Sequence, residues 1–226
     1  MPNEYVTKII RQSDNKEFFL LSGPRCKKCG EVLRKEVYET CYPCGFNKQL
    51  QYLYEGIFFG YYDQGSRSTL LSKELIKFKS DSKYADGLAE LLEIAYRQKN
   101  VPLDLLVPVP PRKNRGTNYN PPTLLAQKFG EKISIESDEI LYFNRITKKM
   151  TECNSKKDRA ENIAGAISLS PQGDLDGKSV CVVDDIFTEG STINECAKIL
   201  KNAGVNYVYG IFVGRSVPGY EKEYIC

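Results

Sequence analysis

The chain has no histidine among its 226 residues, and that single absence narrows the chemistry it can perform. Without imidazole, a four-ligand site of the zinc-ribbon kind must be all-cysteine, which makes it closed and structural rather than catalytic. The side chain that most often serves as a general base is missing as well. No stretch approaches the roughly 18 consecutive apolar residues that a membrane span needs. Residues 1–16 mix charges with isolated apolar side chains and so lack the form of an export signal. The expectation is a soluble, cytoplasmic protein that does not enter a membrane. Charge of one sign is lacking too: 32 basic residues face 29 acidic ones, for a net charge of +3, too balanced to imply a polyanion partner by itself. No internal repeat or low-complexity tract occurs.

Eight cysteines are present, and their spacing sorts them. Cys26 and Cys29 form one CxxC, Cys41 and Cys44 a second, with 11 residues between the pairs. Two such turns aim four thiolates at one tetrahedral ion, the layout of a zinc ribbon. Two disulfides or free thiols are the alternatives, and the absence of an export signal weighs against disulfides. Gly30 and Gly45 follow each second cysteine, suiting turns whose amides face the sulfurs. Cys153, Cys181, Cys196 and Cys226 are scattered; Cys181 in an apolar run and Cys196 on an apolar helix face read as core residues.

A chain of this length can bury one sizeable core and spare a small appendage. The division expected is a zinc-ribbon module in residues 1–50 and one domain in residues 51–226. In "YADGLAELLEIAYRQK", Tyr84, Leu88, Leu91, Leu92 and Ala95 fall on one helical face. Short apolar runs at 103–109, 139–143, 179–183 and 205–213 read as strands. Apolar strands alternating with helices predict an α/β fold, a mostly parallel sheet covered on both faces. Ligands of such sheets bind beyond the carboxyl ends of the strands, where "PVPPRKNRG" and the pair Asp184–Asp185 fall.

The stretch "CVVDDIFTEGSTINECAKIL" (181–200) is the candidate site. A buried strand delivers two carboxylates, a loop follows around Gly190, and a helix begins with Thr192 and Glu195 spaced as a capping box. Gly204 is placed to end that helix. A glycine loop at a helix N-terminus suits a phosphate, and paired carboxylates accept hydroxyl groups, so a sugar phosphate fits both. The rival "GDLDGKS" (173–179) resembles a P-loop, but it is one residue short, places Asp174 and Asp176 against the phosphates, and precedes a strand instead of following one.

"VCVVDDIFTEGST" resembles the ribose-phosphate motif of type I phosphoribosyltransferases. The whole chain resembles the ComF family of amidophosphoribosyltransferase-like proteins, in order: the four-cysteine module, "FGYYDQGSRSTLLSKELIKFKSDSKYADGLAELL", "LVPVPPRKNRGTNYNPPTLLA", "RITKKMTECNSKKDRAENIAGAI" and the diacid stretch. The resemblance implies a type I phosphoribosyltransferase fold that binds phosphoribosyl pyrophosphate (PRPP) with magnesium and substitutes at the anomeric carbon with release of pyrophosphate. By position, Asp184 and Asp185 would hold the ribose hydroxyls. Thr188, Glu189, Gly190, Ser191 and Thr192 would form the 5′-phosphate loop. The backbone around Pro110, Pro111 and Arg112 would approach the pyrophosphate. A basic mobile segment would supply Arg145, Lys148, Lys149, Lys156, Lys157 and Arg159, with Arg159 and Asn162 in "RAENIAGA" the closest match to the family. A variable hood, built partly from the segment after Leu50, would set the acceptor.

Three positions depart from the family pattern: Glu189 replaces a small polar residue, "TECNSKKDR" lacks a glutamine after its threonine, and "RGTNYN" replaces Arg-Gly-Phe-Asn-Gln. Relatives that bind PRPP only to sense it make a binding module one alternative. The family's link to natural transformation implies another, single-stranded DNA binding. That reading takes Arg112, Lys113, Arg115, Lys148 and Lys149 as phosphate contacts, and Tyr52, Tyr54, Phe58, Phe59, Tyr61 and Tyr62 as stacking platforms.

Overall fold

The computed structural model describes residues 5–33, 37–63, 69–112, 119–148, 152–171 and 174–216. The chain opens with an antiparallel hairpin, β1 (Val6–Ile10) and β2 (Glu17–Leu21). The two cysteine turns follow, the second continuing into the single helical turn α1 (Tyr42–Gly45). Then come β3 (Glu55–Tyr62), α2 (Leu70–Phe78), α3 (Ala85–Lys99), β4 (Leu105–Pro108) and α4 (Pro121–Ile133). The excursion β5 (Leu141–Phe143), α5 (Lys156–Ile163), β6 (Ile167–Leu169) precedes β7 (Ser179–Phe187), α6 (Ser191–Asn202) and β8 (Tyr207–Ser216).

Local chemistry starts and stops these helices. Thr69 Oγ1 accepts from the Ser72 amide at the head of α2, 3.2 Å, and Ser155 Oγ from the Asp158 amide at the head of α5, 3.0 Å. Pro121 and Pro122 open α4 where missing amides cost nothing. Asn100, left-handed at φ 48, ends α3.

The main sheet has the order β3-β8-β7-β4, and each neighbouring pair is parallel. One face packs on α2, α3 and α4 through Leu75, Phe78, Leu88, Leu92 and Phe129. The other packs on α6, on the cysteine turns and on the β5–β6 pair, through Leu33, Phe143, Cys196 and Leu200. Both faces are therefore covered, as expected of a parallel sheet. Cys181 and Cys196 are fully buried core residues, and burial pushes both thiols up. No described helix is long and apolar enough to cross a membrane.

Three expectations need correction. The aromatic stretch after Leu50 is an edge strand of the main sheet, not part of a hood: Phe58, Phe59, Tyr61 and Tyr62 are buried. Four of the six rings proposed to stack bases are thus core. Tyr54 stays exposed, with the Lys27 ammonium 5.7 Å from its ring. The run at 139–143 does not join the parallel sheet; its last three residues pair antiparallel with β6, and β6 rests against α6. Finally, β7 continues to Phe187, so Asp184 and Asp185 lie inside the strand and not beyond its end. The turn at 174–178 enters β7 at the opposite end, which leaves the P-loop alternative no helix N-terminus.

Candidate functional site

Because β7 remains extended through the diacid, its two carboxylates take opposite faces of the sheet, as the two-residue period of a strand requires. Asp184 faces α6 and lines a cavity of about 210 Å³ together with Arg159, Phe187, Thr188, Glu189 and the first turn of α6. Its Oδ1 accepts from the Asp185 amide at 2.9 Å. Asp185 is 4% exposed and is not among the residues lining the cavity. Its Oδ1 accepts from the Ile186 amide at 2.9 Å, while its Oδ2 lies 3.6 Å from Lys79 Nζ, just after α2, with no hydrogen bond. Of the two carboxylates, Asp184 lines the cavity and Asp185 lies on the opposite face of the strand.

The loop from Thr188 to Thr192 lines the cavity. Gly190 makes the turn at φ 81, and a Cβ there would come within 2.5 Å of Leu50 Cδ2, so glycine is required on both counts. The capping box does not form. The helix begins at Ser191 with no side-chain cap, and Glu195 Oε1 instead accepts from the Gly165 amide at 2.9 Å, tying α6 to the segment after α5. First-turn amides that no side chain caps, at the positive end of a 12-residue helix, favour an anion. Gly204, at φ 91, follows the helix end as expected.

Arg159 reaches the cavity from α5. Its Nη1 lies 2.8 Å from Glu189 Oε1, and both Arg159 Nε and Glu189 Oε2 are buried without a hydrogen-bond partner. Glu189 therefore does not point outward; it turns onto the one cation lining the cavity among the described residues.

The other basic candidates are placed elsewhere. Pro110 is buried, Pro111 is exposed, and Arg112 turns toward β5, donating to the Lys148 carbonyl at 2.8 Å with its guanidinium 5.7 Å from the Phe143 ring. None of the three lines the cavity. Arg145 donates to the Asn162 and Ala164 carbonyls, each at 3.1 Å. Asn162 grips the Lys148 backbone, accepting from its amide at 3.0 Å and donating to its carbonyl at 2.9 Å. Both stitch 145–148 to α5. Lys113, Arg115, Lys149 and the side chain of Lys156 lie outside the described residues. Lys157 stands 3.8 Å from Glu161 on the exposed face of α5.

The four ligand cysteines come together. Sγ atoms of Cys26, Cys29, Cys41 and Cys44 all lie within 4.8 Å of one another, close to the ~3.8 Å edge of a tetrahedron with ~2.3 Å zinc–sulfur bonds. The set fits zinc, and these residues could hold it. The glycine amides donate to carbonyls rather than facing sulfur: Gly30 to Cys26 at 2.8 Å and Gly45 to Cys41 at 2.9 Å. Every described cysteine is a free thiol. Hydrogen bonds from Cys29, then Cys41 and Cys44, hold the Cys26 thiol far below its usual range.

Sequence reasoning did not identify Gln49, Leu50 or Lys79 as neighbours of the site. Gln49 Nε2 donates to the Glu189 carbonyl at 3.0 Å from 140 residues away. Such a contact leaves no local pattern in the chain.

No family model matches the chain. Competence protein F of Haemophilus influenzae is 29% identical over 201 residues, covering 83% of this chain and 82% of that protein. Among solved structures, an adenine phosphoribosyltransferase superposes with a TM-score of 0.43 at 12% identity, over 65% of this chain and 78% of that one. The glutamine phosphoribosylpyrophosphate amidotransferase of B. subtilis gives 0.39 at 16%, over 92% of this chain and 36% of that one. Likenesses of that strength do not bear on the fold, which stands on the strand order and the diacid strand. From its four-cysteine cluster to the strand and loop that carry Asp184 and Gly190, this chain resembles the ComF family, with a parallel sheet covered on both faces and a cysteine module at its N-terminal end.

Proposed function

We propose that the cavity binds the ribose 5-phosphate portion of PRPP. One observation supports this above all: a carboxylate, Asp184, an arginine, Arg159, and the first turn of α6 line a single cavity. A carboxylate accepts from hydroxyl groups, whereas a helix N-terminus beside a guanidinium takes an anion. A molecule with a diol and a phosphate at opposite ends satisfies both. The resemblance of "VCVVDDIFTEGST" to the type I ribose-phosphate motif supports the same ligand. Asp184 is also the hard oxygen donor that magnesium accepts alongside waters and phosphate oxygens; when bound, the ion would neutralise charge on the pyrophosphate. Here Asp184 orients the ribose, the α6 turn and Arg159 hold the 5′-phosphate, and Glu189 gives up Arg159 as the ligand enters. Transfer to an acceptor breaks the bond from the anomeric carbon to pyrophosphate and forms one to the acceptor. Burial of Phe58, Phe59, Tyr61 and Tyr62 leaves single-stranded DNA without its main platform.

The test is calorimetric titration of PRPP with magnesium into zinc-loaded protein and into Asp184→Asn and Asp185→Asn. Asp184→Asn is expected to weaken binding about tenfold or more, in line with loss of charge-assisted hydrogen bonds. Asp185→Asn should lose less, because its side chain lies on the other face. Absence of binding to the folded wild type sinks the proposal. Pyrophosphate release in the presence of candidate acceptors then separates turnover from binding alone.

A further inference from the structure

Both cysteine turns are joined to the loop at Gly190 through the same two residues. Lys28, between the cysteines of the first turn, donates from Nζ to the Leu50 carbonyl at 2.8 Å. In the second turn, the Pro43 carbonyl accepts from the Gln49 amide at 3.1 Å. Gln49 then donates from its side chain to the Glu189 carbonyl at 3.0 Å. Leu50, fully buried, fills the space that a Cβ on Gly190 would need. Two residues beyond, the Tyr52 amide donates to Asn194 Oδ1 on α6 at 3.2 Å. A separate tie runs from the sheet, where Arg215 Nε donates to the Cys29 carbonyl at 2.7 Å.

We infer that the four-cysteine site is a positioning device for the anion loop: metal held by the cysteines fixes Gln49 and Leu50, and these fix Glu189 and Gly190. The inference rests on the ribose-phosphate reading of the cavity. Its physical basis is that two turns closed on one ion have little freedom, whereas four uncrosslinked thiols do not hold two turns together. Residues 49–50 are tied to both turns and touch the loop directly, so a shift of either turn reaches Glu189 and Gly190 without an intermediary. Gln49 and Leu50 are positioning residues, since neither lines the cavity. Linkage then requires reciprocity: if metal strengthens ligand binding, ligand must strengthen metal retention by the same factor.

The experiment uses full-length protein loaded with cobalt(II), whose thiolate absorption reports the cysteine site. PRPP with magnesium is titrated calorimetrically into the loaded wild type, Gln49→Ala and Lys28→Met, and cobalt affinity is measured by equilibrium competition with a chelator, with and without PRPP. Both variants are expected to keep the cobalt spectrum yet bind PRPP about threefold to tenfold more weakly, the effect of one lost hydrogen bond. PRPP is expected to tighten cobalt binding to wild type at least about fivefold and to tighten it less in Gln49→Ala. Equal PRPP affinity in wild type and both variants, with cobalt affinity indifferent to PRPP, overturns the inference while leaving the ribose-phosphate reading intact. No binding of PRPP to cobalt-loaded wild type overturns the reading and the inference together. A purely structural role for Gln49 would lower thermal stability without touching the reciprocal effect on cobalt, and that result also counts against coupling.

Discussion

Two arginine–glutamate pairs in this molecule share their chemistry and differ in everything else. Arg11 and Glu74 join the β1–β2 hairpin to α2 with both side chains nearly buried, at 4% and 3% exposure. Both Glu74 oxygens are engaged, Oε2 by Arg11 Nη1 at 2.6 Å and Oε1 by Nη2 at 2.9 Å. Asp14 takes the remaining guanidinium face, and Lys16 adds a bond to Glu74 at 3.1 Å. Arg159 and Glu189, at 31% and 24% exposure, meet through one contact and leave a donor and an acceptor without partners. A saturated pair has nothing left to offer a ligand and serves as a staple. A half-satisfied pair at a cavity wall is where an incoming anion finds a donor ready.

The sharpest way to test that contrast is to break the staple. Glu74→Ala leaves Arg11, buried against Phe18, with Asp14 as its remaining carboxylate partner, and is expected to cost about 2–3 kcal/mol in urea unfolding through the lost charge-assisted bonds. Next in size is the cavity pair, read by binding rather than stability. Arg159→Gln is expected to weaken PRPP about tenfold or more, whereas Glu189→Gln, which frees the arginine, should strengthen it about two- to fivefold. Both changes should shift stability by no more than about 1 kcal/mol. A Glu189→Gln protein that binds more weakly would show that the carboxylate holds the ligand instead of competing with it.

The smallest effect is in acid. Hydrogen bonds from Arg11, then Lys16, hold the Asp14 carboxyl well below the usual carboxylate range despite partial burial. Its folded-state pKa is depressed, so its stabilisation is complete above the unfolded value of about 3.9 and is lost as pH falls from there toward the folded value. Asp14→Asn should therefore be less stable than wild type at pH 7, with the gap closing below about pH 4. A gap that stays constant with pH would remove Asp14 from the staple.

The sequence made part of this legible. The helix at 85–99, the cysteine set and the strand–loop–helix from β7 to α6 each announce themselves by spacing. β3 did not, because a strand buried on both faces shows no alternation, and "EGIFFGYY" reads equally as an aromatic surface. The split of the two carboxylates was hidden by one misjudged boundary. Charged residues ordinarily end a buried strand, so the run appeared to stop at Val183, and only its continuation to Phe187 sends Asp184 and Asp185 opposite ways. The missed contacts of Gln49 and Lys79 follow from chain pairings that no window of sequence contains.

That two-faced arrangement has a consequence for how the strand can vary. The apolar residues Val180 to Val183 can be exchanged among themselves with modest loss, as core residues of similar volume usually can. Their number cannot change. Adding or removing one residue ahead of the diacid would turn each carboxylate to the other face, setting one against Lys79 that belongs in the cavity and emptying the cavity wall of the other. β7 should therefore tolerate substitution far better than insertion or deletion, and homologous strands that differ freely in composition should keep the same length up to Asp184.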